Sequence, residues 1–92
     1  MSMEFRHPGL RRFWERDESS QISHDHLDRI SRILDDLAAA SRPGQMDLPG
    51  YRLHQLTGNR RGVWSVRVSA NWRITFRFAD GRVVDIDLED YH

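Results

Sequence analysis

Before residue 40 the apolar positions of this chain recur every third or fourth residue, and from residue 51 onward they recur every second one. That change of period divides the chain into a helical first part and a strand-forming second part, because side chains alternate across a strand and return to one helix face about every 3.6 residues. A short candidate strand, Met3-Glu4-Phe5-Arg6, opens the chain. Pro8 follows where a first helical turn tolerates it, and Leu10, Phe13 and Trp14 continue at helical spacing until Asp17-Glu18-Ser19-Ser20 breaks the pattern. The pattern predicts a second helix from Ser23, an N-cap with Asp25 in the favourable first turn. Leu27, Ile30, Leu34 and Leu37 share one face of it, and Asp28 and Arg32 are spaced for an i,i+4 pair on the wet side. Ser41-Arg42-Pro43-Gly44 ends this helix, and Pro49-Gly50 introduces the sheet.

In Val63 to Val68, Trp64, Val66 and Val68 point one way and Ser65 and Arg67 the other. In Trp72 to Phe78, the apolar row is Trp72, Ile74, Phe76 and Phe78, with Arg73, Thr75 and Arg77 opposite. A last strand from about Arg82 to Glu89 turns Val84, Ile86 and Leu88 inward. The connecting segments are Gly58-Asn59-Arg60-Arg61-Gly62, then Ser69-Ala70-Asn71, then Asp80-Gly81, a strong two-residue hairpin signal. The expected architecture is a single α+β domain over residues 1–92, with two N-terminal helices packed on one face of a mainly antiparallel, twisted sheet. The opposite face is expected to be lined by arginine.

Composition narrows the function classes. The 92 residues contain no cysteine, which removes disulfides and thiolate metal sites and fits a reducing cytoplasm. No apolar run approaches the ~18 residues of a membrane span, so a soluble cytoplasmic protein without a membrane partner is expected. Formal net charge is zero, but the charges are segregated, and all 14 basic residues are arginine. Arg52, Arg60, Arg61, Arg67, Arg73 and Arg77 fall in a stretch from Tyr51 through Arg77 that holds no acid, whereas Asp85, Asp87, Glu89 and Asp90 crowd the tail. Arginine presents a planar fork to phosphate and stacks on bases, so the stretch is a candidate RNA-contacting surface.

The candidate chemistry lies at the chain's end and about forty residues earlier. Asp90-Tyr91-His92 supplies a carboxylate, a phenol and an imidazole, and His54 supplies a second imidazole within the arginine-rich stretch. Two histidines, a carboxylate and several guanidiniums are what phosphodiester chemistry on RNA needs without a metal or other cofactor. His24 and His26, two apart on a predicted helix, do not converge and make no zinc site. Trp14, Trp64 and Trp72 read as core residues.

Four blocks together resemble HigB-type toxins of the RelE/ParE superfamily: Leu48 to Leu56, Gly62 to Val66, Asn71 to Phe76, and Glu89-Asp90-Tyr91-His92. The resemblance covers nearly the whole chain, including the Phe5 to Trp14 opening. It implies a ribosome-dependent endoribonuclease that cleaves mRNA in the ribosomal A site by attack of the ribose 2′-OH on the adjacent phosphate. It also implies a HigA-type antitoxin partner with a helix-turn-helix domain, the pair binding operator DNA. Residue by residue, it assigns catalysis to His54, Asp90, Tyr91 and His92, with Arg73 on the phosphate. The alternative within the superfamily is a non-catalytic ParE-like toxin that inhibits DNA gyrase by binding it, and the paired acid and base groups argue against that.

Two features of this chain complicate the resemblance. Thr57 stands where the family usually has lysine, so Arg60 or Arg61 must supply the missing charge or activity is weaker. Simple strand alternation also sends Asp90 and His92 to the core side, so a bulge, strong twist or turn of the tail is expected to bring them to His54.

Overall fold

The computed structural model describes residues 3–90. Helix α1 (Pro8–Arg16) and helix α2 (Leu27–Ala39) precede strands β1 (His54–Gln55), β2 (Trp64–Arg67), β3 (Trp72–Ala79) and β4 (Arg82–Asp90). The strands form one antiparallel sheet in the order β1-β2-β3-β4. No helix among the described residues is long and apolar enough to cross a membrane.

Local sequence explains where the helices begin and end. Pro8 occupies the first turn of α1, the His7 Nδ1 accepts the Leu10 amide at 3.1 Å, and Asp17 closes the helix in a left-handed conformation. The second helix departs from expectation at its start. Residues His24–His26 form a 3-10 turn, α2 proper begins at Leu27, and Ser23 makes no side-chain capping bond. The Ser23 carbonyl instead accepts the His26 amide, tightening the entry into a 3-10 geometry. Asp28 and Arg32 form no ion pair among the described residues, in keeping with the small gain such exposed pairs offer.

Ile30, Ile33, Leu34 and Leu37 of α2 and Leu10 of α1 are buried with Val66, Ile74, Phe76, Val83 and Ile86 of the strands in one core. Trp64 and Trp72 pack against it half-buried. Trp14, expected inside, is 39% exposed. The expected alternation in β4 also fails at its first residue, since Val83 rather than Val84 is buried. Between the pairs Thr75↔Asp87 and Arg77↔Val84, β3 has one residue, Phe76, and β4 has two, Asp85 and Ile86. The extra residue is a β-bulge, with Asp85 in a left-handed conformation at φ 53, and it offsets the inward positions by one. The bulge faces the Met3–Arg6 segment, which forms a single parallel bridge, Phe5↔Ile86, rather than a strand. The Asp80-Gly81 turn has positive φ at both residues, as the two-residue hairpin requires.

The strand that carries His54 is only two residues long and is fixed by α2. Tyr51, 3% exposed, donates its hydroxyl to Asp36 at 2.6 Å, and the Arg29 guanidinium lies 4.8 Å from its ring centroid. Arg29 also donates to the carbonyls of Gly50 at 2.6 Å and Arg67 at 3.0 Å, joining the approach to β1 to the end of β2. Burial, and then the bond to Asp36, push the Tyr51 phenol up to about 12. The chain has no lysine and two tyrosines, so few other groups ionise in that range. A phenol whose pKa is raised on folding contributes its full stability below the unfolded value of about 10 and loses it as pH rises toward 12. Urea unfolding at stepped alkaline pH is therefore expected to show stability falling between pH 10 and 12. Tyr51→Phe should cost about 1.5 kcal/mol at neutral pH, the lower end for a hydrogen bond to a charged group, and should flatten that alkaline slope.

Candidate active site

Because paired residues of an antiparallel sheet project to the same side, the register dictates what meets on the face away from the core. His54 pairs with Ser65, Ser65 with Thr75, and Thr75 with Asp87, making one row across all four strands. One step along, Arg67 pairs with Arg73 and Arg73 with Glu89. The histidine and arginine that the sequence singled out thus lie in adjoining rows of one face.

Two neighbouring clefts open on this face and share Arg73. The smaller is lined by Arg52, Leu53, His54 and Arg73. Its described lining contains no acid. His54 is exposed there, and Arg52 enters in a left-handed conformation at φ 50. The larger, about 360 Å3, is bounded by Leu56, Thr57 and Arg60 on one side and by Arg73, Glu89 and Asp90 on the other, with Ser65 and Thr75 between. Asp90, at the exposed end of β4 and in register with Trp72, reaches this cleft even though the bulge at Asp85 lies upstream of it and leaves its alternation with Ile86 unchanged. Tyr91 and His92 lie outside the described residues.

The face is not the uninterrupted arginine surface that the acid-free stretch suggested. Antiparallel return of β4 brings the acidic tail alongside it. Glu89 accepts two bonds from Arg60, at 2.7 and 2.6 Å, and a third from the Thr75 hydroxyl. Arg60 beside it holds the Glu89 carboxyl below the usual carboxylate range, against the opposing effect of partial burial, and Glu89 raises Arg60 in turn. Arg77 lies 3.9 Å from Asp85, both largely exposed, a contact of little energetic weight. Arg61 is exposed beside Gln55, Leu56 and Thr57 and makes no ion pair among the described residues. Arg67 is half-buried, and its carbonyl receives Arg29.

Sequence reasoning missed Glu89, Ser65 and Thr75. Ser65 is 1% exposed, and its Oγ has no hydrogen-bond partner among the described residues although it lines the larger cleft. The signal for Glu89 was present in the alternation of β4, where Asp87 and Glu89 fall on the side away from Ile86 and Leu88. It was obscured by reading the acids as a terminal cluster.

Comparison with known proteins places this arrangement. A family model described as the RelE-like toxin HigB of type II toxin-antitoxin systems matches residues 3–92. The chain is 39% identical over 92 residues to a Proteus vulgaris protein named endoribonuclease HigB, covering 100% of both. It is 29% identical to toxin HigB-1 of Vibrio cholerae over 93 residues, covering 99% of this chain and 98% of that protein. In fold it matches a chain of the YoeB-YefM complex from Staphylococcus aureus with a TM-score of 0.62 at 18% identity, over 100% of this chain and 97% of that one. A match along nearly the whole chain, two full-length relatives and a shared fold agree: the chain belongs to the HigB-like toxin family, the RelE-like toxins of type II toxin-antitoxin systems.

Proposed function

We propose that this toxin is a cytoplasmic, metal-independent endoribonuclease that cleaves mRNA in the ribosomal A site. The observation that carries the proposal is that His54 and Arg73 line one cleft with no acid among the described residues, while Asp90 borders the cleft next to it, also lined by Arg73. A proton-transfer group and a phosphate ligand on one face are what cleavage by an internal nucleophile requires. The full-length likeness to a protein named as an endoribonuclease supports the same reaction class.

In this mechanism the ribose 2′-oxygen attacks the adjacent phosphorus, the 5′-oxygen of the next nucleotide leaves, and a 2′,3′-cyclic phosphate remains. A base takes the proton from the 2′-hydroxyl and an acid supplies one to the leaving oxygen. His54 and His92 fill those roles in either order, since an imidazole nitrogen can both take up a proton and give one up. Asp90 orients or holds charged one of the histidines, Tyr91 stacks on a base or bonds to phosphate, and the Arg73 fork holds the phosphate as charge builds on it. Arg52, Arg67 and Arg77 add positive charge for RNA and ribosome. Of the two candidates to replace the family's usual lysine at Thr57, Arg61 is the better placed, because Arg60 is already neutralised by Glu89. A HigA-type helix-turn-helix antitoxin blocks the toxin and carries it to operator DNA. The antitoxin partner is supported by the family description and by a fold relative solved in the YoeB-YefM complex.

Substitution of the proton carriers should remove toxicity before stability. His54→Ala and deletion of His92 are each expected to reduce cleavage on programmed ribosomes by roughly 10²–10⁴-fold. Arg73→Ala should be similarly damaging, and Arg73→Lys should recover only part of the loss, keeping charge without the fork. Fully active, folded His54 and His92 variants would remove these residues from the reaction.

The nucleophile is tested separately. An mRNA with a 2′-O-methyl group at the scissile nucleotide, presented in the A site at constant magnesium, should resist cleavage there while neighbouring sites remain cleavable. Cleavage at the methylated position would mean that water attacks instead, and the two-histidine mechanism would be abandoned.

A further inference from the structure

The two clefts that share Arg73 differ in charge. Every ionisable side chain among the described residues lining the smaller cleft is basic: Arg52, His54 and Arg73. Among the described residues the larger is lined by two arginines, Arg60 and Arg73, and two acids, Glu89 and Asp90, whose formal charges sum to zero. An RNA phosphate gains from the first and is partly repelled by the acids of the second.

Three properties of the larger cleft suit a different part of the nucleotide. Arg60 and Glu89 meet through two parallel bonds, and such a pair is planar, with a flat face that keeps the stacking ability of a guanidinium and loses its net charge. Leu56 supplies an apolar wall. On the floor, Ser65 Oγ is buried and without a hydrogen-bond partner among the described residues, a costly arrangement unless something arriving in the cleft completes it. The adjacent Thr75 hydroxyl gives its one hydrogen to Glu89 and can only accept, which leaves Ser65 as the floor hydroxyl able to donate. At about 360 Å3, the cleft is within the roughly 300–1,000 Å3 of sites that enclose small molecules.

We infer that this cleft is a nucleobase subsite, in which a base of the RNA stacks beside the Arg60–Glu89 pair and hydrogen-bonds Ser65, while its phosphate lies on the side of Arg73 that faces Arg52 and His54. This rests on the proposed RNA-cleaving function and adds to it a source of sequence preference. Glu89 is a positioning residue: it sets the plane of Arg60 and cancels its charge.

The test uses binding with cleavage blocked. Homotrimers of A, C, G and U with 2′-O-methyl riboses are titrated into the wild-type chain and into Ser65→Ala, followed by amide chemical shifts, with a melting curve for each protein. The expected result is a preference for one base, shifts at Ser65 and Thr75, and a preference smaller by about 2–10-fold in Ser65→Ala. A purely structural Ser65 would leave the preference unmoved, and Ser65→Ala should melt no lower than wild type because it removes an unsatisfied hydroxyl. As a second variant, Glu89→Gln frees the charge of Arg60. Trinucleotide affinity should then show a salt dependence steeper by about one unit of slope, together with a weaker base preference. Equal binding of all four trimers, an unchanged preference in Ser65→Ala, an unchanged salt slope in Glu89→Gln, or no shift at Ser65 and Thr75 at millimolar trimer would each overturn the inference. Failure of the nuclease reading would appear elsewhere, as absent cleavage of unmodified mRNA by the wild type, and would leave the trimer result readable.

Discussion

The site depends on a clamp that contains none of its proposed catalytic groups. Strand β1 has two residues and two backbone partners on β2, too little to hold a register by itself. The Tyr51 side chain does so from outside the strand, its ring buried, its hydroxyl on Asp36 of α2 and the Arg29 guanidinium beside it. Arg29 extends the tie to the carbonyls on both flanks of the Tyr51 segment, Gly50 before it and Arg67 across from it. The chain then turns through the left-handed Arg52 and delivers His54 opposite Ser65. Helix, loop and sheet edge act as one unit, so the position of the imidazole relative to Arg73 is set by packing about three residues away.

A second constraint is electrostatic. A face made only of guanidiniums would repel itself and would bind phosphate anywhere along its length. The return of β4 places Glu89 against Arg60 and Asp85 near Arg77, and leaves the cleft between Arg52, His54 and Arg73 with no acid among its described lining residues. Neutralisation is therefore local, and the cleft that carries the proposed proton carrier is lined, among the described residues, by basic ionisable groups alone. Net charge, which is zero, reports none of this.

Much of this was legible in the sequence because it depends on local period and turn chemistry. Helix α1 starts at its proline, the Asp80-Gly81 turn adopts the conformation its residues favour, and β3 buries Ile74 and Phe76 while turning Arg73 away. Three features were not legible, each because it arises from pairing between distant segments. The bulge at Asp85 exchanged Val84 for Val83 in the core, and no signal in a run of alternating Val and Asp marks where an extra residue goes. Trp14 reads as core by type and spacing, but the short α1 leaves that part of its surface uncovered. Glu89 looked like one member of an acidic tail until pairing set it opposite Arg73. The candidate site was accordingly identified by its residue types, and its division into a basic and a neutral cleft was visible only in three dimensions.

The bulge also determines how the sheet ends. On the side of β4 away from β3, the Glu4 amide bonds to the Val83 carbonyl, the Ile86 amide to the Glu4 carbonyl, and the Arg6 and His7 amides both to the Ile86 carbonyl. An open strand edge is a template for joining another chain, and here the first half of β4 is already occupied by the molecule's own backbone. At the far side of the sheet, β1 is too short to recruit a neighbour effectively. The sheet is thereby protected against edge-to-edge self-association along most of its border. The outer edge of Asp87–Asp90 is the stretch of β4 beyond these bonds, and it carries three acids, Asp87, Glu89 and Asp90. A second copy of the strand brought alongside would meet the same negative charge, so the residues that border the larger cleft also discourage aggregation through it.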